Sequence, residues 1–306
     1  MAVRHGPSTE ALKPTASYAA PPAHDLALLV FGLMGASAAT PLIAATAAPA
    51  LAVAFWRNAL AVPVVLSVAI ARKELHRLRG RALGLAALGG LFLGLHFAAF
   101  TPSLRYTSVA SAAALICSQA IWAGVFGRLL GERLPRRAWL GVAVALAGVL
   151  LVTGVDVSLS ARALTGDALA LLGGVLGGAY IVTGGFARRE LTTGAYTTVC
   201  YTVSAVILLA ICVASGQSLG GYSTDDWYQI IALTVAGQLI GHTTFNLVLR
   251  SVSPTLVSLS TLFTVPVAAV IAAIALGQTP PVEAIPALML LLAGTGLFIS
   301  ARDRPV

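Results

Sequence analysis

The sequence is short of charge. Asp, Glu, Lys and Arg make up 10% of its 306 residues, against about 25% in a soluble domain. Eleven acidic and nineteen basic side chains cannot wet a globule of this length, because a soluble surface is roughly 25–35% charged. For the bulk of the chain this excludes a soluble enzyme, a nucleic-acid-binding module and a disordered tail. Cysteine is scarce too. Cys117, Cys200 and Cys212 all fall inside apolar runs, so neither a disulfide framework nor a metal site is expected. There is no HExxH motif, no pair of intramembrane aspartates and no Asp-rich loop. A membrane-embedded enzyme, which needs a nucleophile–base pair or a metal cluster, therefore stands only as an alternative. No Asp or Glu lies deep in an apolar run, so the carboxylate relay of proton-coupled carriers is missing. The first 24 residues lack the apolar core of a signal peptide. With Pro7, Pro14, Pro21 and Pro22 they are expected to form a flexible cytoplasmic arm.

Apolar residues are what is abundant: 58% of the chain, with a mean hydropathy of +0.90. Cutting at charges and at Pro/Gly clusters predicts ten spans, at 26–44, 51–71, 82–101, 107–128, 138–154, 167–187, 195–214, 228–248, 255–276 and 284–300. Each is roughly 17–22 residues, enough to cross a hydrocarbon layer of about 30 Å as a helix. Barrel strands are excluded, because the runs are too long and do not alternate.

The charges that remain are sorted. The net charge of +8 would suggest nucleic acid in a soluble protein; here it sits in short loops. One side collects Arg4 and Lys13, the 72–81 loop, Arg128, Arg133, Arg136, Arg137, Arg188, Arg189, Arg250, Arg302 and Arg304. The other holds Arg105 and Arg162. The split is sixteen to two, with Arg57 left inside a span. By the positive-inside rule both termini are expected in the cytoplasm. Trp139, Trp227 and Tyr228 fall at span ends, as interfacial aromatic residues do.

The chain repeats itself. An offset near 146 places Ala147-Gly148 on Ala293-Gly294, Gly131 on Gly277 and His96 on His242. An offset near 142 places Asp25 on Asp167, Gly32 on Gly174 and Gly35 on Gly177. Five spans repeat. Five is odd, so the second copy enters the bilayer from the opposite face. The expected fold is all-α and integral to the membrane: ten transmembrane helices as two inverted-topology five-helix repeats, 25–155 and 156–301, around a central cavity. The arm precedes them, and 302–306 form a cytoplasmic tail.

Several runs carry a resemblance. They are Phe55-Trp56-Arg57-Asn58, Leu104 to Ala112 (LRYTSVASA), Leu129 to Leu134 (LLGERL) and Ala147 to Gly154 (AGVLLVTG). With the duplication, they resemble the drug/metabolite transporter superfamily, specifically the EamA-type ten-helix carriers, and among those the bacterial aromatic amino acid exporters. The resemblance implies a multi-pass protein of the bacterial inner membrane that exports small organic solutes, amino acids and aromatic ones among them, by alternating access. It implies no cofactor. A monomer is favoured. Nucleotide-sugars, drugs or organic cations are alternative cargoes. Two positions depart from the family pattern: Ala120 stands opposite Pro266 where a proline is common, and Gln278 replaces the second glutamate.

A solute path through lipid must be lined by polar groups that would be costly against acyl chains. Arg57 is expected about 9 Å inside the outer face at 1.5 Å per residue. It either reaches the interface, pairs with Asp156 or Asp225, or takes a substrate carboxylate with its guanidinium fork. His96 and His242 are expected at mirror-related depths near opposite mouths of the cavity. Phe97, Phe100, Gln119, Trp122, Tyr180, Gln238, Phe245 and Asn246 complete the candidates for substrate binding. Gln238, His242 and Phe245 are spaced to share one α-helical face. Gly32, Gly35, Gly174 and Gly177 are expected to allow close packing. Pro41 and Pro266 are expected to bend their helices. Ser258, Thr261 and Thr264 line one face of the ninth span and can bond their own backbone turn.

Overall fold

The structure is a computed structural model. It describes residues 22–107, 109–131, 136–155 and 161–277, with short helical stretches between 285 and 297. Among the described residues every element is helical. In hydrocarbon a backbone has no water to bond to, and the helix answers every interior N–H and C=O from within its own segment. The chain opens with α1 (Ala23–Ser37), α2 (Ala39–Ala45) and α3 (Ala50–Ala71), then a 3₁₀ turn (Glu74–Arg77) and α4 (Gly80–Ser103). Next come α5 (Val109–Ile116), α6 (Gln119–Leu129) and α7 (Arg136–Val155). The second half runs through α8 (Ala161–Glu190), α9 (Thr193–Ala214), α10 (Thr224–Leu233), a π-helical stretch (Thr234–His242) and α11 (Thr243–Val248). It continues with α12 (Pro254–Ser260), a 3₁₀ turn (Thr261–Phe263) and α13 (Thr264–Leu276). Seven helical stretches among the described residues are long and apolar enough to cross a bilayer. The protein is thus a multi-pass membrane protein.

Helix starts follow local chemistry. Thr192, Ser223 and Ser253 each accept a backbone N–H with their side-chain oxygen, and Pro254 follows at a position where its missing N–H costs nothing. Ala23 and His24 already belong to α1, so the helix starts two residues before the end of the expected arm; the arm's other residues lie outside the described ones, save Pro22. The tenth predicted span falls largely outside them, as do Glu132, Asp156, Gln278, Glu283 and the tail.

Three spans are interrupted. The first breaks at Ala38, three residues before Pro41, which cannot donate to the Ser37 carbonyl. The ninth breaks over Thr261–Phe263, just before Pro266. The fourth, expected as one helix over 107–128, breaks at Cys117 and Ser118 although no proline is there. Its bonds there shorten to the i+3 type: Ser118 N–H to Leu115 O at 3.0 Å, Ala120 N–H to Cys117 O at 3.1 Å and Ile121 N–H to Ser118 O at 2.9 Å. The two last breaks touch. Gln119 Nε2 donates to Thr261 Oγ1 at 2.6 Å.

Packing uses small residues. α4 lies along α8 and α9, α3 along α9, and α1 along the 234–248 stretch. A Cβ on Gly35 would stand 2.6 Å from the Ala236 carbonyl oxygen; one on Gly90 would stand 2.5 Å from that of Cys200. Gly174 faces Ser118, and Gly177 faces Gln119 and His96. These glycines let backbones and polar side chains approach at half depth.

Candidate functional site

Between the two halves lies a cavity of about 80 Å³. Its lining includes Thr40 just past the α1 break, Arg57 of α3, His96, Phe97 and Phe100 of α4, and Gln119 at the start of α6. Tyr180 of α8, His242 and Phe245 of the eighth span, and Thr261 and Thr264 of the ninth close it. The elements supply these side chains for stated reasons. The breaks at 38, 117–118 and 261–263 bring Thr40, Gln119 and Thr261 to the centre. Gly237 makes room for the guanidinium, since a Cβ there would stand 3.1 Å from Arg57 Nη2.

Arg57 is 2% exposed. It neither snorkels to an interface nor pairs with Asp225; no described carboxylate forms an ion pair with it, and Asp156 lies outside the described residues. Instead Nε donates to Gln238 Oε1 at 3.1 Å. Because a guanidinium only donates, Gln238 must present its oxygen, and its Nε2 then donates to Asn58 Oδ1 at 3.2 Å. The guanidinium carbon lies 4.1 Å from the centre of the Phe97 ring, a cation–π contact that orients the fork while leaving Nη2 without a hydrogen-bond partner. A buried, unanswered donor in a cavity is set up to receive an acceptor.

The histidines do not sit at opposite mouths. Their ring centres are 6.4 Å apart. Side chains lean toward the N-terminus of their own helix. The expectation counted depth along each helix axis and left out this lean, which carries both rings off the level of their own Cα atoms. His96 Nδ1 donates to the Gly173 carbonyl at 2.8 Å, which fixes the proton on Nδ1 and leaves Nε2 toward the cluster. His242 Nδ1 is buried and unpartnered. Phe97, Tyr180 and Phe245 surround His242 at ring-centre distances of 5.3, 5.8 and 6.2 Å. Phe100 stacks on His96 at 6.0 Å.

Of the residues predicted to bind substrate, Arg57, His96, Phe97, Phe100, Gln119, Tyr180, His242 and Phe245 line this one cavity. Gln238 and Asn246 stand behind the lining. Asn246 Oδ1 accepts from Tyr180 at 2.9 Å and its carbonyl accepts from Arg188 Nε at 2.8 Å. Trp122 is apart, packed against Phe126 at 6.1 Å. Of the expected stripe of Gln238, His242 and Phe245, the last two line the cavity, while the Gln238 side chain is taken up by Arg57 and Asn58 of α3; the stretch 234–242 that carries it is π-helical. Asn58 and Tyr201 were missed. Tyr201 bonds Thr243 Oγ1 at 3.0 Å, and Thr243 Oγ1 in turn donates to the Gln238 carbonyl at 3.1 Å, which also accepts the Thr243 backbone N–H.

The arginine-poor end of the molecule is tied across by side-chain bonds. Asp226 Oδ1 accepts from Thr46 Oγ1 at 2.9 Å and from Ala47 N–H at 2.7 Å. Arg105 Nη2 donates to the carbonyls of Thr46 at 2.6 Å and Ala48 at 3.0 Å. Both grip the α2–α3 connection. Trp56 adds an indole bond to Leu219 O at 3.0 Å and an edge contact with Trp227 at 5.2 Å. The spacing of Ser223 and Asp226, a capping pair whose side chains bond at 2.7 Å, was the available signal for this cluster.

The family model of the EamA-like transporters matches twice, over 24–154 and over 164–300. A protein of Archaeoglobus fulgidus described as an uncharacterized transporter is 27% identical over 168 residues, 53% of this chain and 57% of that one. The chain thus spans a little over half of that relative's length in the match. A solved crystal structure shares the fold with a TM-score of 0.73 at 18% identity, covering 92% of this chain and 99% of the other. With a twofold family match spanning nearly all of the described helices, the chain belongs to the EamA-like transporter family, within the drug/metabolite superfamily.

Proposed function

We propose that this chain is an inner-membrane secondary transporter that exports small organic metabolites, amino acids including aromatic ones foremost, by alternating access. In this reading both termini are cytoplasmic, and the arginine-poor end faces outward. The halves are inverted five-helix repeats, within a fold of ten transmembrane helices. The double family match supports the duplication, and so do paired contacts: α4 against α8 is mirrored by α1 against the eighth span, and the two mid-span breaks meet at Gln119 and Thr261. The observation that carries the substrate reading is the free Nη2 of buried Arg57, held over Phe97 in a cavity with further rings at His96, Phe100, Tyr180, His242 and Phe245. A guanidinium suits a carboxylate, and the rings suit an aromatic side chain. A single arginine among the lining residues repels an organic cation and is too little charge for a nucleotide-sugar's phosphates.

The cavity of about 80 Å³ is small beside ligand pockets of about 300–1,000 Å³. In this reading the structure is a contracted state with the outer end shut, and cargo enters as the cytoplasmic end widens. Counterflow in proteoliposomes tests it, with a panel of amino acids, purines, sugars and organic cations. Competition by Phe, Tyr or Trp is the expected result. Competition by quaternary cations alone overturns it. With no carboxylate relay among the lining residues, flux follows the solute gradient; a strict need for an imposed pH gradient would contradict that part.

A further inference from the structure

A second hollow lies away from the centre. It is a crevice of about 320 Å³ between α3, α9 and the eighth span, in the half of the molecule that carries the arginines. Its walls are chiefly Val64, Val68, Thr197, Leu239 and Leu247. Val64, Val68 and Leu247 are 48%, 43% and 42% exposed on helices that cross the bilayer, so the crevice opens sideways onto acyl chains. Gly194 and Thr197 keep the α9 wall low. From Arg72 at the rim to Val64 is eight residues of helix, about 12 Å, most of the ~15 Å depth of one leaflet.

The rim is basic. Arg72 lines the crevice, is exposed, and makes no ion pair among the described residues. Glu74, also at the rim, is occupied: its Oε2 accepts from Thr192 Oγ1 at 2.8 Å. Lys73, Arg77, Arg79 and Arg81 extend the positive field along the same edge, with Arg81 paired to Glu190 at 3.1 Å. A greasy slot that ends at a guanidinium making no ion pair among the described residues has the chemistry of an amphiphile with an anionic head: an anionic lipid.

We propose that this crevice binds an anionic phospholipid, one acyl chain lying between α3 and α9 and the headgroup phosphate held by Arg72. The chain rests against Leu239 and Thr243, so the lipid braces the π-helical stretch that carries Gln238 and His242. Charge complementarity selects the lipid, since each basic side chain near an anionic surface strengthens attraction about fivefold.

The test is native mass spectrometry of the full chain in an uncharged maltoside detergent, titrated with phosphatidylglycerol or with phosphatidylcholine of the same acyl chains. One phosphatidylglycerol is retained about fivefold or more over phosphatidylcholine. Arg72→Ala removes that preference, whereas Arg79→Ala changes it less than twofold. Val64→Trp, which fills the slot from an exposed position, lowers retention of both lipids, with the melting temperature reporting that the fold is intact. Inorganic phosphate at matched concentration does not displace the lipid. Equal retention of the two lipids overturns the proposal, as does an equal loss in Arg72→Ala and Arg79→Ala, which would mean diffuse attraction. Displacement by phosphate, or retention unchanged in Val64→Trp, overturns the acyl slot. None of these readings depends on which solute is carried.

Discussion

At the scale of single residues, Arg57 decides most. It is held by Gln238 and by the Phe97 face, with one nitrogen left for a guest. Replacing Arg57 by Lys keeps a charge but loses the fork, because an ammonium is a compact point with no planar edge. Counterflow of a carboxylate solute is expected to fall by about tenfold in Arg57→Lys and further in Arg57→Gln, the loss of a charged hydrogen bond being about 1.5–3 kcal/mol. Membrane insertion, read by fluorescence size exclusion of a fusion, stays as in the parent. His96→Ala and His242→Ala are each expected to lower flux several-fold without loss of insertion; unchanged flux in both would return the rings to packing alone. The residue types of this cluster were legible in the sequence because polar side chains are rare in apolar runs. The meeting of His96 and His242 was not. The distance between His96 and His242 depends on side-chain lean, which span arithmetic ignores. Trp122 shows the converse, an aromatic residue at a plausible depth that turns to Phe126 instead.

The helices themselves carry a second lesson. Span limits for α3, α4 and α9 follow from hydropathy because the bilayer permits no other backbone there. Interruptions were harder to foresee. Proline marks the first and ninth spans, yet the fourth breaks at Cys117 and Ser118 with Ala120 in proline's place. The break rests on partners from elsewhere, Gln119 to Thr261 Oγ1 and Cys117 Sγ to the Thr261 carbonyl at 3.8 Å. Contacts of that kind, 142 to 144 residues apart, leave no local trace. The π-helical stretch is likewise invisible to a 3.6-residue period. Close packing between helices gives a direct test. Gly35→Val and Gly90→Val drive a branched side chain against a backbone carbonyl, which cannot swing aside. Each is expected to destabilise by about 1–3 kcal/mol, seen as a lower melting temperature in detergent. Gly84→Val, with open space around its Cβ position, is the control that should melt within a degree or two of the parent.

For the molecule as a whole, the two ends differ. The arginine-poor end is tied by Asp226 and Arg105 to the same short connection, Thr46 to Ala48. Asp226→Asn weakens two charge-assisted bonds, and Arg105→Ala deletes two more. Each is expected to raise labelling of a cysteine placed at Thr40, reached from that side by an impermeant thiol reagent, by about tenfold, in line with about 1.4 kcal/mol per decade. Labelling unchanged in both would mean that Trp56 and Trp227 alone keep the end shut. The hollow at the centre has a wider meaning for the cell. At about 80 Å³ it is well below the ~300–1,000 Å³ of an ordinary ligand pocket. A carrier that resets in this shape makes the return trip without its cargo, so each full cycle moves solute one way.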